Sequence, residues 1–437
     1  MKRILSLLMA FLITFTTFLG SSKLSFADNN EPSLVAQYAV LLDYETGKVL
    51  YDKNGHKKLY PASTTKLWTA YIVLKKVPDL NTVITMENLP AVEGSSMYLK
   101  DGESFTVKDL LYSLMVHSSN DVAEVLANYV SGSIEEFAKL MNEEAKAIGA
   151  KNTHFNNPHG LPDENHFTTA YDMALMSREA MSNNVFREIV KTERIQYPGT
   201  EAYPYERHFV NTNKFLQSSD KINYKGQQID IKYDIVDGIK TGFTDDAGKC
   251  LVSSAVKNNM RVISAVFKSV GDDLYLDSRT LIDYGFDNYQ SNTIIDKADH
   301  VGREKVSFTK QKELIYEPKH GYKLVLPKNV SVSDYTVKPK LDKIDLPVKK
   351  GDKVGTLEIY NKKELEAKID LVATSELNSI FSFITENKSL LNILKIALII
   401  VLVIVVLVIA LIIRKKVRRK NRRRKNSIYS NKKKRRR

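Results

Sequence analysis

Apolar positions recur in two rhythms along the first 290 residues. Spacings of three and four predict helices. One follows Pro61, with Leu67, Ala70, Tyr71, Val73 and Leu74 on its apolar side. Two more cover 107–115 and 122–130, with Leu110, Leu111, Leu114 and Met115 sharing a face of the first. Ser133, followed three positions later by Glu136, predicts a capping box for a helix stopping near Gly149, and 169–181 carries another helical pattern. Elsewhere the rhythm is that of strands. Segments 36–42 and 48–51 form a hairpin through Glu45-Thr46-Gly47, 233–239 is strand-like, and 250–256 and 262–267 are apolar enough for buried antiparallel strands.

From about residue 291 the texture changes to short strand-like segments at 322–326, 354–360 and 365–372, punctuated by Gly321, Gly351 and Gly355. They predict a small all-β domain over 291–375. A tether over 376–395 follows, whose scattered Ile380, Phe381, Phe383 and Ile384 suit an amphipathic helix on a membrane surface.

Both ends break the pattern of a soluble chain. Lys2 and Arg3 precede an apolar run over 4–19, and Ser25-Phe26-Ala27 supplies the small residues of a leader cleavage site, so 1–27 is expected to be a secretory signal. Residues 396–413 contain only Ile, Leu, Val and Ala. As a helix this run spans roughly 27 Å, close to the hydrocarbon thickness of a bilayer. The 24 residues of 414–437 hold 16 Lys or Arg and no acid, which predicts a cytoplasmic tail and the preceding chain outside the cell membrane.

Charge then changes the picture. The whole chain carries 65 cations against 51 acids, a formal +14. Without the tail's 16 cations and the leader's three, 46 cations face the same 51 acids. No basic patch belongs to the folded part, which excludes a nucleic-acid-binding reading; the tail suits anionic membrane lipids. The single cysteine, Cys250, forbids an intramolecular disulfide, so the exported domains (28–290 and 291–375) rely on their cores. No His or Cys cluster has metal-ligand spacing and no phosphate-binding glycine loop is present, so no metal or cofactor is expected.

Three motifs carry the candidate chemistry: Ser63-Thr64-Thr65-Lys66, Ser118-Ser119-Asn120 and Lys240-Thr241-Gly242. Lys66 sits one turn after Ser63, where its amine can reach the hydroxyl, and it can act as a base if burial and a neighbouring ammonium lower its pKa. Lys240 is the natural second cation. Ser118 supplies a second hydroxyl for proton relay, and Asn120 an amide able to bond protein and substrate. Lys240 and Thr241 can hold a carboxylate, and Gly242 permits close approach of a substrate backbone. His166 and Asp172 suit structural roles, Asp172 as a capping partner, and Cys250 suits a packed thiol.

The set Ser-x-x-Lys, Ser-x-Asn, Lys-Thr-Gly marks penicillin-binding proteins and class A β-lactamases. The wider context Pro61-Ala62-Ser63, Gly94-Ser95-Ser96-Met97-Tyr98-Leu99, Asn157-Pro158-His159-Gly160-Leu161, the run 166–172 and the run 237–248 resembles the serine-type D-Ala-D-Ala carboxypeptidases, the low-molecular-mass penicillin-binding proteins of peptidase family S11. The resemblance implies an α+β, transpeptidase/β-lactamase-like domain with a five-stranded antiparallel sheet between helices. A β-sandwich stalk would follow, and then one transmembrane helix. It implies that Ser63 forms an acyl-enzyme with Lys66 as base, and that Ser118 and Lys240 shuttle protons. Lys240 and Thr241 would bind the terminal carboxylate, with the N–H groups of Ser63 and Phe243 as oxyanion hole. The implied partners are the peptidoglycan stem pentapeptide, which loses its last D-alanine, and β-lactams, which acylate Ser63.

Two positions depart from the family pattern. Ser119 stands where Gly is common, and a full transmembrane helix with a basic tail replaces the amphipathic anchor of several relatives. A β-lactamase would normally add a Glu-x-x-Leu-Asn element, which is absent. A D,D-transpeptidase or endopeptidase shares the same acyl-enzyme, and a penicillin-sensing receptor would need a larger cytoplasmic domain than this tail.

Overall fold

A computed structural model of the protein describes residues 31–89, 91–298, 301–383 and 387–434, with side chains to Arg422. The expected leader over 1–27 and Ile384 of the tether lie outside the described residues. Two compact units emerge. One holds the described residues as far as Asn292 together with Lys323–Val330; the other holds Thr293–Tyr322 and the described residues from Ser331 onward.

The first unit is built on an antiparallel sheet in the order β2-β1-β11-β10-β9. Its strands are β1 (Tyr38–Asp43), β2 (Val49–Lys53), β9 (Val236–Thr244), β10 (Gly248–Lys257) and β11 (Met260–Ser269). Both faces are covered. Val40, Leu42, Val252, Ile263 and Ala265 point into one core cluster, while Ala39, Leu41, Leu251, Val262 and Val266 point into the other. Double-sided burial is why these strands read as unbroken apolar runs.

The larger cluster lies under α1 (Thr65–Lys76), α2 (Val107–Val116), α3 (Asn120–Ser131), α4 (Ile134–Ala147), α5 (Ala170–Ala180) and α6 (Asn184–Lys191); α8 (Asp273–Asn288) closes the other face. Helix α1 is central: besides the apolar positions expected from its period, Trp68 and Ile72 are fully buried. A short helix α7 (Lys214–Gln217) and hairpins β3 (Val83–Thr85) with β4 (Ser104–Thr106), β5 (Arg194–Tyr197) with β6 (Arg207–Val210), and β7 (Lys221–Tyr224) with β8 (Gln227–Asp230) complete the unit.

Two local expectations need correction. At Ser133 the hydroxyl accepts from Glu136 N, but Glu136 turns to Lys139 instead of closing the box. The reciprocal capping box is at Thr106 and Asp109. Strand β9 runs to Thr244, so Lys240-Thr241-Gly242 lies inside the strand and not after it. Asp172 is the capping partner expected: Thr169 caps α5 by accepting from Asp172 N, and the Asp172 carboxylate also accepts from Asn152 N and Thr153 Oγ1.

The second unit is all-β. Strands β13 (Gly302–Lys305), β14 (Glu313–Pro318), β16 (Tyr335–Leu341), β17 (Lys353–Asn361) and β18 (Glu364–Ala373) form an antiparallel sheet in the order β13-β14-β18-β17-β16. Leu314, Leu357, Ile359 and Leu371 fill its core. Strands β12 (Tyr289–Ile295) and β15 (Tyr322–Pro327) lie where the chain passes between the units. The tether does not begin as a helix: Leu377 and Ser379 make bridges to Val348 and Thr309. The chain then enters α9 (Lys388–Lys434), in which 388–422 is long and apolar enough to cross a membrane.

Candidate active site

Ser63 is delivered by a distorted entry into α1. One 3-10 turn, Ala62–Thr64, precedes the α-helix, and Ala62 holds φ +48°, a left-handed conformation that costs an L-residue on the order of 1–2 kcal/mol. The turn is locked from two sides. Thr64 Oγ1 donates to Pro61 O at 2.6 Å, and Gly160 packs so tightly that a Cβ there would lie 1.8 Å from Ala62 O. Only glycine fits at 160.

One turn on, Lys66 is fully buried. Its Nζ lies 3.0 Å from Ser63 Oγ and donates to His159 O at 2.8 Å. Burial first, and then the charge of Lys240, hold its pKa well below the ordinary lysine value; Asp121 opposes them more weakly. A neutral amine within hydrogen-bond reach of a serine hydroxyl can take its proton.

Lys240, Thr241, Gly242 and Phe243 follow one another along β9. Lys240 is buried, donates to Thr241 O at 3.1 Å, and is pulled down to about 7 by desolvation. Thr241 Oγ1 meets Thr212 Oγ1 at 2.6 Å, which orients the hydroxyl. Gly242 faces the Ser63 turn: a Cβ there would lie 3.0 Å from Ser63 N and 3.1 Å from Thr64 N. Phe243 projects into solvent.

The middle motif bridges α2 and α3. Ser118 is buried at φ +71°, so this hydroxyl too stands on a left-handed residue. Ser119 Oγ, buried, hydrogen-bonds Ser113 Oγ at 2.8 Å, which gives the extra hydroxyl a partner inside the protein. Asn120 donates Nδ2 to Glu93 O at 2.5 Å, while its Oδ1 is buried without a partner. That orphan acceptor suits an incoming N–H. Asp121 fastens the neighbouring loop by accepting from Ser96 Oγ, Met97 N and Leu99 N. A buried pair, Arg207 with Glu103 at 2.8 Å, adds a second clasp through Arg207 Nε to Met97 O.

His166 is structural here. Nδ1 accepts from Asn156 N, leaving Nε2–H to donate to Thr65 Oγ1 at 3.0 Å, and burial lowers its pKa to about 3. Cys250 is buried and its thiol is pushed up to about 12. Among the described residues no group of His, Cys, Asp and Glu is placed to hold a metal ion.

Sequence reasoning missed three contributors: the His159 carbonyl, Thr212 and the Glu93 carbonyl. Two act through backbone oxygens, which any residue type carries. Thr212 is 29 positions from its partner and has no local signal.

Comparison with known proteins gives consistent matches. The family model described as D-alanyl-D-alanine carboxypeptidase, peptidase S11, matches residues 26–271, and the model for the C-terminal domain of penicillin-binding protein 5 matches 289–379. The chain is 34% identical to D-alanyl-D-alanine carboxypeptidase DacF of Bacillus subtilis, over 86% of this chain and 95% of that one. It is 35% identical to DacC of Escherichia coli, over 77% and 82% of the two chains. Among solved structures, penicillin binding protein 5 of Haemophilus influenzae superposes with a TM-score of 0.63 at 27% identity, covering 80% of this chain and 99% of that one.

Proposed function

The chain belongs to the D-alanyl-D-alanine carboxypeptidases of peptidase family S11, and from that premise we propose how its own residues divide the work. It is a serine carboxypeptidase of the penicillin-binding class that removes the terminal D-alanine of peptidoglycan pentapeptide stems and limits their cross-linking. β-Lactams acylate it as substrate mimics.

Ser63 Oγ attacks the carbonyl of the penultimate D-alanine while neutral Lys66 takes its proton. The oxyanion sits against the N–H groups of Ser63 and Phe243, on either side of the narrow gap that Gly242 keeps open. Lys240 and Thr241 hold the terminal carboxylate. Ser118 relays a proton to the departing amine, and Asn120 Oδ1 accepts an N–H of the stem peptide. Water then releases the acyl group with Lys66 as base.

The observation carrying this reading is the 3.0 Å contact between a fully buried lysine amine and Ser63 Oγ, beside a second buried lysine. The test is D-alanine release from a stem pentapeptide, with products followed by mass spectrometry. Stoichiometric D-alanine without cross-linked dimer, lost in Ser63→Ala, supports it; dimer formed with an added amine acceptor would make the protein a transpeptidase.

Residues 28–290 are proposed as the catalytic domain, 291–375 as a stalk, and 1–27 as a cleaved leader. Helix α9 is proposed to cross the cell membrane once through 396–413. The catalytic unit would then lie outside, and the basic tail against cytoplasmic lipid headgroups.

A further inference from the structure

One surface of the all-β unit is unexplained by catalysis. Loop 306–312 and segment 378–383 are laced together: Lys310 N donates to Asn378 O at 3.0 Å, Ile380 N to Phe308 O at 2.9 Å, and Asn378 N to Gln311 Oε1 at 3.1 Å. This built edge presents apolar side chains to water. Phe308 is 69% exposed, Phe383 56%, Phe381 51% and Ile380 40%. The rings of Phe308 and Phe381 lie 6.5 Å apart at 29°. Phe308 holds φ +61°, a conformation bulky residues rarely adopt. An open groove of about 510 Å³ runs beside Phe308 and Ile380, with Lys305 and Lys312 on its walls. Lys310 is exposed on the same loop. The groove's one acid, Glu313, pairs with Arg303 at 3.9 Å.

An exposed apolar cluster of this kind marks a contact surface. The chain itself identifies the partner. Helix α9 begins at Lys388, five residues after Phe383, and five residues span at most about 17 Å. The apolar span begins at 396, eight helical residues or about 12 Å further on, so the cluster lies within about 30 Å of the hydrocarbon, and the headgroup layer fills part of that distance. Rings over basic residues are the composition of an interfacial anchor on anionic lipid.

We propose that this edge, Phe308, Ile380, Phe381 and Phe383 with Lys305, Lys310 and Lys312, seats on an anionic phospholipid bilayer, the rings in the interface and the ammonium groups at the phosphates. The proposal rests on the reading of α9 as a membrane span.

The test uses the full chain carrying Phe381→Trp, reconstituted in vesicles of phosphatidylglycerol and phosphatidylcholine with brominated acyl chains. The native Trp68 is buried in the catalytic unit and gives a constant background. The new indole is expected to shift to the blue and be quenched, while one at Lys343→Trp, at a site whose side chain is 91% exposed, is not. Reversing Lys305, Lys310 and Lys312 to Glu should weaken the seating about fivefold per charge. Equal quenching at both reporters, or quenching unchanged in pure phosphatidylcholine, would overturn the proposal. So would a blue shift that needs high protein concentration and no lipid, because a second copy would then cover the edge. Flotation with vesicles reports on α9 separately: a chain that floats with an unquenched reporter loses the docking edge only, and one that fails to float loses both readings.

Discussion

The catalytic cleft and the lipid-facing edge of the β unit invert the usual distribution of side chains in opposite senses. In the cleft two lysines, two serines and an asparagine are withdrawn from water, and desolvation changes what they are: Lys66 and Lys240 become amines that titrate far below an ordinary lysine. At the edge, phenyl groups stay in water and the neighbouring Lys305 and Lys310 are exposed beside them. The same residue type is a reagent in one place and an electrostatic contact in the other. Burial decides between them, and each inversion is held by backbone that leaves it little freedom: Ala62 and Ser118 in the cleft, Phe308 at the edge, all at positive φ.

The comparison breaks hardest at Lys66. Lys66→Met should lower kcat/KM for D-alanine release, and the rate of penicillin acylation, by about 10⁴-fold or more, as loss of the base does in other serine hydrolases. Lys305→Met should leave both unchanged. Pre-steady-state labelling with a fluorescent penicillin measures the two side by side. Gly242→Ala comes next. Its Cβ would sit 3.0 Å from Ser63 N, which moves the oxyanion donors, so kcat should fall on the order of 10²-fold while the thermal midpoint changes little.

These effects separate what the sequence announced from what it concealed. The Ser63–Lys66 spacing, the two-sided apolar strands and the 18-residue apolar run were all legible, because each is a local pattern with one physical reading. The tightness around Ser63 was not. It depends on Gly160, nearly a hundred positions away, meeting Ala62 O, and on the His159 carbonyl reaching Lys66. The edge was half visible: Ile380, Phe381 and Phe383 suggested an amphipathic helix, but the backbone of 378–380 pairs with 308–310 first, and helical backbone begins only at 382. A polar Thr309-Lys310-Gln311-Lys312 loop gives no hint that Phe308 would be its apolar companion.

Titration sharpens the contrast further. In the proposed mechanism acylation needs Lys66 neutral and carboxylate binding needs Lys240 charged, so kcat/KM should be bell-shaped, rising as Lys66 loses its proton and falling as Lys240 does so around 7. Lys240→Arg keeps the charge and should remove the alkaline fall while lowering the maximum. Stability follows the same group. Lys240 titrates about 7 when folded and about 10.4 when unfolded. Between these values the unfolded chain binds more protons, so stability rises with pH across that window; below 7 both states are protonated and the burial penalty is full. Lys66, also lowered, adds to the rise with the same sign, so Lys240→Met should make it shallower without abolishing it, as read from urea midpoints at pH 7 and 10.

The smallest effect tests whether the edge belongs to the fold at all. Thr65→Val, in the cleft, leaves the buried His166 Nε2–H without its acceptor and should cost about 1–3 kcal/mol in urea unfolding. Phe308→Asn exchanges an exposed ring for a residue that tolerates φ +61°, so the strain it relieves and the little packing it loses nearly cancel. The change should stay within about 0.5 kcal/mol, as for an exposed position, and D-alanine release should be unaffected. If Phe308→Asn instead destabilised the β unit by as much as the Thr65 change, the ring would be serving the core of its own unit, and its exposure would no longer need a lipid surface to explain it.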